Sequence, residues 1–335
     1  MRAPLGPIAL EAIEAARARL GAEVARTPLI DLEPAEIDQL FAKLEDLQPI
    51  GSFKLRGAGN AMALADPAAL QRGVYTASAG NMAQGVAWNA RRLGIPCTVI
   101  VPDHAPSTKL EAVERLGGHI VKVPVARWWQ VLVDHGHPDF EGLFIHPFAD
   151  PAVIAGNGTI GLEIVEGTSQ LDAVVVPWGG GGLSVGIASA VKAMRPAVTV
   201  YAAEAVTAAP LAAALAAGRP VTIDYTPSWV DGIGGGSVLD EIWPLASSLL
   251  DGSITVSLDQ IADAVRFLAS HGVVAEGAGA ASVAAALTGK AGRSGVVAVV
   301  SGGNVDARVL AAILAGAKHE EAEEETRAKP PVVKL

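Results

Sequence analysis

Apolar positions along the chain follow two periodicities that alternate almost throughout. Short β-branched runs predict strands: VYTAS from Val74, CTVIVP from Cys97, HIVKVP from His119, AVVVP from Ala173, VTVYAAE from Val198 and VVAVVS from Val296. Between them, NMAQGVAWNARRLG and LSVGIASAVKAMRP carry apolar residues three and four apart, the spacing of one helix face. Strand and helix in alternation predict an α/β chain with doubly wound parallel sheets. The run from Val74 to His146 reads as a self-contained βαβαβ unit and the strands after Ala173 as a second series, so two lobes are expected. Glycine-rich turns at Gly80, Gly179 and Ser301 each follow a predicted strand. Ligands of open parallel sheets sit at those strand ends, so the three turns are expected to meet in one cleft.

Composition narrows the partners. Half of the 335 residues are apolar, enough for a sizeable core. A net charge of −10, with no basic cluster longer than Arg91-Arg92, lacks the footprint of a nucleic-acid binder. No apolar run approaches the roughly 18 residues of a membrane span, and the N-terminus, with Glu11 and Glu14, carries no targeting pattern. Cys97 is the single cysteine and is expected in a buried strand, which suits a reducing cytoplasm. The segment EEAEEETRAKPPVVKL is acidic and lacks periodicity, so residues 318–335 are expected to form a disordered tail.

The strongest local signal is VVVPWGGGGLSVGIASAVK, a strand, the glycines Gly179, Gly180, Gly181 and Gly182, and a helix opening near Leu183. Backbone N–H groups of such a turn can point into one concavity at a helix N-terminus, the physical form of a phosphate cradle. Gly182-Leu-Ser184-Val-Gly186 also matches a nucleophile elbow, with Asp231, Asp240 and His271 as distant partners for a serine hydrolase. An elbow serine sits on the sharp turn itself, whereas Ser184 falls at or inside the helix start. Glu204 stands where a nicotinamide enzyme would bind a ribose, but no G-x-G-x-x-G precedes it. Lys54 in QPIGSFKLRGAGNAM lies in an apolar setting that would favour a neutral, nucleophilic amine. A lone lysine is more often solvated, and Lys43 and Lys122 are read as ordinary examples.

Taken together, GSFKLRGAGNAM, SAGNMAQGVAW, NGTIGLEI, VPWGGGGLSVGIA, DGIGGG, EGAGAA and VVSGGNVD resemble, in order and spacing, the fold type II pyridoxal 5'-phosphate (PLP) enzymes of the threonine/serine dehydratase and serine racemase group. The resemblance runs from about Arg26 to about Ile313. It implies a large domain of residues 1–71 and 150–317, a small mobile domain of 72–149, PLP in the cleft between them, and a homodimer. Lys54 then holds the cofactor as a Schiff base and Phe53 packs behind the ring. Asn81 meets the ring hydroxyl, Gly179 to Gly182 with Leu183 hold the phosphate, and Ser301 with Gly302 faces the pyridine nitrogen. Ser78, Ala79, Gly80 and Asn81 receive the substrate carboxylate. Gly234 lets the backbone approach the ring. Glu276 is either behind the cofactor or a strand-end acid facing water, and Asp231 either belongs to the site or only fixes a turn.

The implied reaction is loss of water from a β-hydroxy-α-amino acid such as threonine or serine, ending in a 2-keto acid and ammonia. A serine at the pyridine nitrogen makes the ring a moderated electron sink, which favours elimination over longer-lived carbanion chemistry. The racemase has serine where this chain has Ala79, so proton delivery to the second face is not expected. Met82 replaces a usual histidine at a substrate-contacting position. Glu204 and Ala208 match two ligands of the family's metal site, but Pro210 replaces the third, so no metal is expected there. His135-Gly-His137 reads as a surface loop. Trp128 and Trp129 either line an apolar pocket for a bulkier substrate such as phenylserine or pack the core. Racemisation and β-replacement, as in cysteine synthase and the tryptophan synthase β-subunit, remain the alternatives, with a nonenzymatic sensor further off. No regulatory domain is expected after SGGNVDARVLAAILAG.

Overall fold

The computed structural model describes residues 3–34, 37–103, 105 and 107–316, so the tail expected at 318–335 lies outside the described residues. Among the described residues there are ten strands: β1 (Leu29–Asp31), β2 (Leu40–Leu44), β3 (Val74–Ala77), β4 (Cys97–Pro102), β5 (His119–Val123), β6 (Leu143–Phe144), β7 (Ala173–Pro177), β8 (Thr199–Ala205), β9 (Gly252–Val256) and β10 (Val296–Val300). They form a six-stranded sheet of order β1-β2-β10-β7-β8-β9 and a four-stranded sheet of order β5-β4-β3-β6. All pairings are parallel except β1 with β2. No helix among the described residues is long and apolar enough to cross a membrane.

The large sheet is covered on both faces, which is why β7 and β10 read as unbroken apolar runs. Val175, Ala203, Ala298 and Val300 enter one apolar cluster, while Val174, Val176, Val297 and Val299 enter the other. β10 inserts between β2 and β7, with Val296 opposite both Leu40 and Ala173. That insertion carries the chain end Ser301-Gly302 to the segment before Lys54, where the Phe53 N–H donates to the Ser301 carbonyl at 3.1 Å.

β2 escapes a hydropathy reading because Lys43 interrupts it. Contrary to the solvated role expected of it, Lys43 is 1% exposed and donates to Glu163 Oε2 and the Thr27 carbonyl, each at 2.5 Å. Lys122 is exposed as expected. Arg56 completes the buried network, bonding Glu45 Oε1 and Oε2 at 2.8 Å and Glu163 Oε1 at 2.7 Å. Burial pushes the Glu45 carboxyl up, but Arg56, Lys43 and the Thr27 hydroxyl together outweigh it and the group stays below its ordinary range. Removing one partner of such a network costs about 3–5 kcal/mol, because the other charge is left buried. Arg56 sits two residues after Lys54, so this network anchors the helix Lys54–Leu64 from behind.

The same helix also reaches the other sheet. Its Ala58, Ala61 and Met62 share one apolar cluster with Met82, Val86 and Val99 of the four-stranded unit. Cys97 is buried in that cluster, and burial pushes its thiol up to about 12.

Candidate active site

Four helix N-termini are linked by contacts, Asn81 to Glu276, Lys54 to Pro147, and Gly182 to the adjoining Phe148. Helix Lys54–Leu64 starts at Lys54, Asn81–Leu93 follows Gly80, Gly182–Met194 follows Gly181, and Gly277–Leu287 follows Glu276. The first N–H groups of each have no partner within their own helix, and the dipoles place partial positive charge at the same end. N-termini linked in this way suit a ligand with a phosphate and a carboxylate.

Lys54 is fixed by close neighbours. Its Nζ donates to the Pro147 carbonyl at 2.7 Å and lies 5.1 Å from the centre of the Phe53 ring. Burial pushes the amine down to about 8, opposed by the negative charge of Glu276. Helix Asn81–Leu93 abuts it through Gly85, where a Cβ would lie 3.0 Å from the Lys54 carbonyl carbon.

The glycine loop is shaped by its surroundings. Gly181 has φ +93, a left-handed value that a side chain resists. A Cβ on Gly180 would run into the Phe148 ring, and one on Gly182 would stand 2.5 Å from the Phe148 carbonyl oxygen. Phe148 and the N-terminus of helix Gly182–Met194 therefore touch through bare backbone, and Leu183 is buried just inside the helix.

Asn81 joins the two sheets. Its Nδ2 donates to Glu276 Oε1 at 2.6 Å and its Oδ1 accepts from Asn304 Nδ2 at 2.8 Å. Glu276 is thus half-buried against Asn81 and Gly302. Gly302 bridges to Ser52, and a Cβ on it would reach Glu276 Oε1 at 2.6 Å and Asn81 Nδ2 at 3.2 Å. Ser301 is 4% exposed beside it. Ser78, Ala79 and Gly80 form the turn from β3 into the helix, with the Gly80 N–H donating to Ser78 Oγ at 3.2 Å.

Other expected residues lie differently. The Met82 side chain is 1% exposed within the apolar cluster of the small sheet, so only its backbone can face a substrate. Trp128 packs on the small sheet in the cluster of Tyr75, Ile100 and Leu132, and Trp129 is 37% exposed. Gly234 lies against the Tyr225 ring; the carbonyl of Gly232, in the turn that Asp231 opens, is what faces Gly179. Ser184 is fully buried and its hydroxyl donates to the Pro177 carbonyl at 3.1 Å, so the hydrolase alternative fails for want of an accessible nucleophile. Glu204 accepts from the N–H groups of Leu211 and Ala212, each at 2.8 Å, and from Ser253 Oγ at 2.5 Å. His135-Gly-His137 is, as expected, a turn, following helix Val125–Asp134, but His135 is half-buried and bonds Glu241.

Sequence reasoning missed Pro147, Phe148 and Asn304. The available signal was HPFAD, a proline-aromatic turn just before the helix that Asp150 caps.

These residues fit PLP on three structural grounds. They offer an amine with a pKa lowered to about 8, a glycine loop so closely walled that a Cβ at Gly180, Gly181 or Gly182 would collide with Phe148 or Trp178, and a buried Ser52 hydroxyl oxygen beside Gly302 with no hydrogen-bond partner. The comparisons agree. The chain is 39% identical over 318 residues to an L-threonine ammonia-lyase of Thermotoga maritima, covering 92% of this chain and 78% of that one. It is 36% identical to a serine racemase of Oryza sativa, covering 90% and 92%. In structure it is similar to maize serine racemase, with a TM-score of 0.85, 33% identity and coverage of 93% and 99%. Residues 21–302 match the family described as pyridoxal-phosphate dependent enzyme, and the chain belongs to that family.

Proposed function

We propose that this enzyme removes water from serine and threonine, releasing a 2-keto acid and ammonia. The observation that carries this reading is the Lys54 amine, lowered to about 8 and held among four linked helix N-termini. When bound, PLP supplies an electron sink for the bond that breaks at the substrate α-carbon.

The chain's own residues do the rest. The backbone N–H groups of Gly179 to Leu183 bind the phosphate, and those of Ser78 to Asn81 bind the substrate carboxylate. Phe53 supports the ring, and Ser301 offers the pyridine nitrogen a hydroxyl, which does not hold a proton there as a carboxylate would. Asn81, steered by Glu276 and Asn304, orients the ring hydroxyl. Lys54 is the base for the α-proton. At pH 7 an amine of pKa about 8 is about one-tenth neutral, against roughly 3 in 10,000 for an ordinary lysine.

Elimination is favoured over racemisation because Ala79 has no proton to deliver to the second face. Phenylserine is a weaker reading: Trp128 packs on the small sheet and Trp129 is 37% exposed, which leaves the apolar-pocket argument without support from either indole. We further propose that the four-stranded unit, residues 72–149, is the moving part, and that the enzyme works as a cytoplasmic homodimer.

Ammonia and keto acid release from serine, threonine, 3-hydroxyaspartate and phenylserine tests the reading. Serine or threonine should lead. A ranking headed by 3-hydroxyaspartate, or turnover only with an added thiol or indole, would contradict it.

A further inference from the structure

Behind the turn that meets Lys54, three titratable residues stand together: His135 and His146 from the four-stranded unit and Glu241 from the other. One donor atom from each lies within 4.8 Å of the others. His135 Nε2 is 2.7 Å from Glu241 Oε1, with side-chain exposures of 15% and 8%. The His135 and His146 rings stack with centroids 4.2 Å apart at 30°. His135 and Glu241 also line a cavity of about 280 Å³ with Leu5, Ala149 and Asp150.

Two imidazoles and a carboxylate are a donor set for zinc, but the hydrogen bonds of His146 speak against a metal. Its Nδ1 accepts from the backbone N–H groups of Phe148 at 3.2 Å and Ala149 at 2.7 Å. Backbone N–H groups can only donate, so the neutral ring carries its proton on Nε2 and offers no lone pair to an ion. Ligating histidines show the opposite arrangement, in which the second nitrogen donates.

What His146 does is shape the turn. By gathering two N–H groups it folds residues 146–149 so that the Pro147 carbonyl meets Lys54 Nζ at 2.7 Å. It also holds Phe148 edge-on, with ring centroids 4.6 Å apart, where Phe148 walls the glycine loop at Gly180. The His135 ring lies against the His146 ring and is itself tied to Glu241 across the junction between the two sheets' units.

We propose that Glu241, His135 and His146 are positioning residues, a carboxylate–imidazole–imidazole relay through which one unit fixes the 146–149 turn of the other and so aims the Lys54 amine. The proposal rests on Lys54 being the reactive amine. Contact between units is thereby linked to the geometry of the reacting group, so reactivity is highest when Glu241 and His135 are engaged.

The experiment compares the parent with Glu241→Ala, Glu241→Gln and His135→Ala. Two readouts are used: the rate at which apoprotein captures PLP, followed by its visible absorbance, and kcat and KM of the holoenzyme with threonine. The alanine variants should slow capture and lower kcat by about 5- to 10-fold with KM within about 2-fold, since positioning acts on the reacting step more than on binding. Glu241→Gln retains an oxygen that accepts from His135 and should recover capture and kcat to within about 2-fold of the parent. Capture and kcat unchanged in the alanine variants would overturn the relay, as would a glutamine variant no better than alanine. Stoichiometric metal in the purified protein, lost in His135→Ala, would replace it with a metal site. Because capture needs no substrate, absence of threonine turnover in the parent would count against the proposed reaction and leave the relay to be judged on capture alone.

Discussion

Asn81 Nδ2 donates to Glu276 Oε1 at 2.6 Å, joining residues 195 positions apart at the starts of two helices, Asn81–Leu93 and Gly277–Leu287. The same Glu276 raises the pKa of Lys54 against the larger effect of burial. Glu276→Gln removes that opposing charge and leaves burial, so the amine becomes neutral at lower pH. The rate of PLP capture by apoprotein, half-maximal near pH 8 in the parent, should reach its midpoint a few tenths to about one unit lower in the variant. A midpoint that moves upward would contradict this account of the cleft's electrostatics.

The glycine loop predicts a paired result. Gly180→Ala drives a methyl group into the Phe148 ring, and overpacking of this kind costs about 1–3 kcal/mol. PLP affinity should fall by about tenfold or more. Adding Phe148→Ala to the same chain removes the obstacle and should restore part of the loss. Equal affinity in parent and Gly180→Ala would mean that the loop does not carry the phosphate.

Glu204 predicts indifference to chelators. Both of its oxygens already accept hydrogen bonds from Leu211, Ala212 and Ser253, and Pro210 supplies no third ligand. Activity after EDTA treatment, and after return of magnesium or calcium, should stay within about 2-fold of the untreated enzyme, the scale of noise for a site not used in catalysis. Loss of activity reversed by either ion would show that the carboxylate exchanges its N–H partners for a metal.

Ala79 lies in the turn between β3 and helix Asn81–Leu93, partly buried, at the position where the serine racemase group carries a proton-delivering serine. Ala79→Ser should therefore introduce α-proton exchange, detected in deuterated water with alanine, which has no β-hydroxyl to lose. Exchange no faster than in the parent would mean that residue 79 points away from the substrate.

Much of the fold was legible because β3, β4, β5, β7, β8 and β10 are β-branched runs with flanking turns. β1 and β6 span three and two residues, too short for a periodicity to emerge. β2 was hidden by Lys43, whose burial depends on Glu163, 120 residues away. The site divides the same way. Lys54, Asn81 and the glycine loop stand in local motifs, whereas the carbonyl that holds Lys54 is 93 residues distant in Pro147. The His135 pairing was illegible for the same reason: its partner Glu241 is 106 residues on, and no spacing near His135 points to it. Met82 was misread because a helix start gives its first residues different faces, and this one turns its side chain into the core.

The measurement that bears most directly on the central claim is borohydride reduction of the holoenzyme followed by peptide mapping, with threonine-dependent ammonia release assayed in parent and Lys54→Ala. The account predicts PLP fixed on the peptide containing Lys54, and ammonia release reduced by about 10²–10⁴-fold or more in the variant, the contribution of a general base. Cofactor attached to another lysine, or undiminished ammonia release from Lys54→Ala, would contradict it.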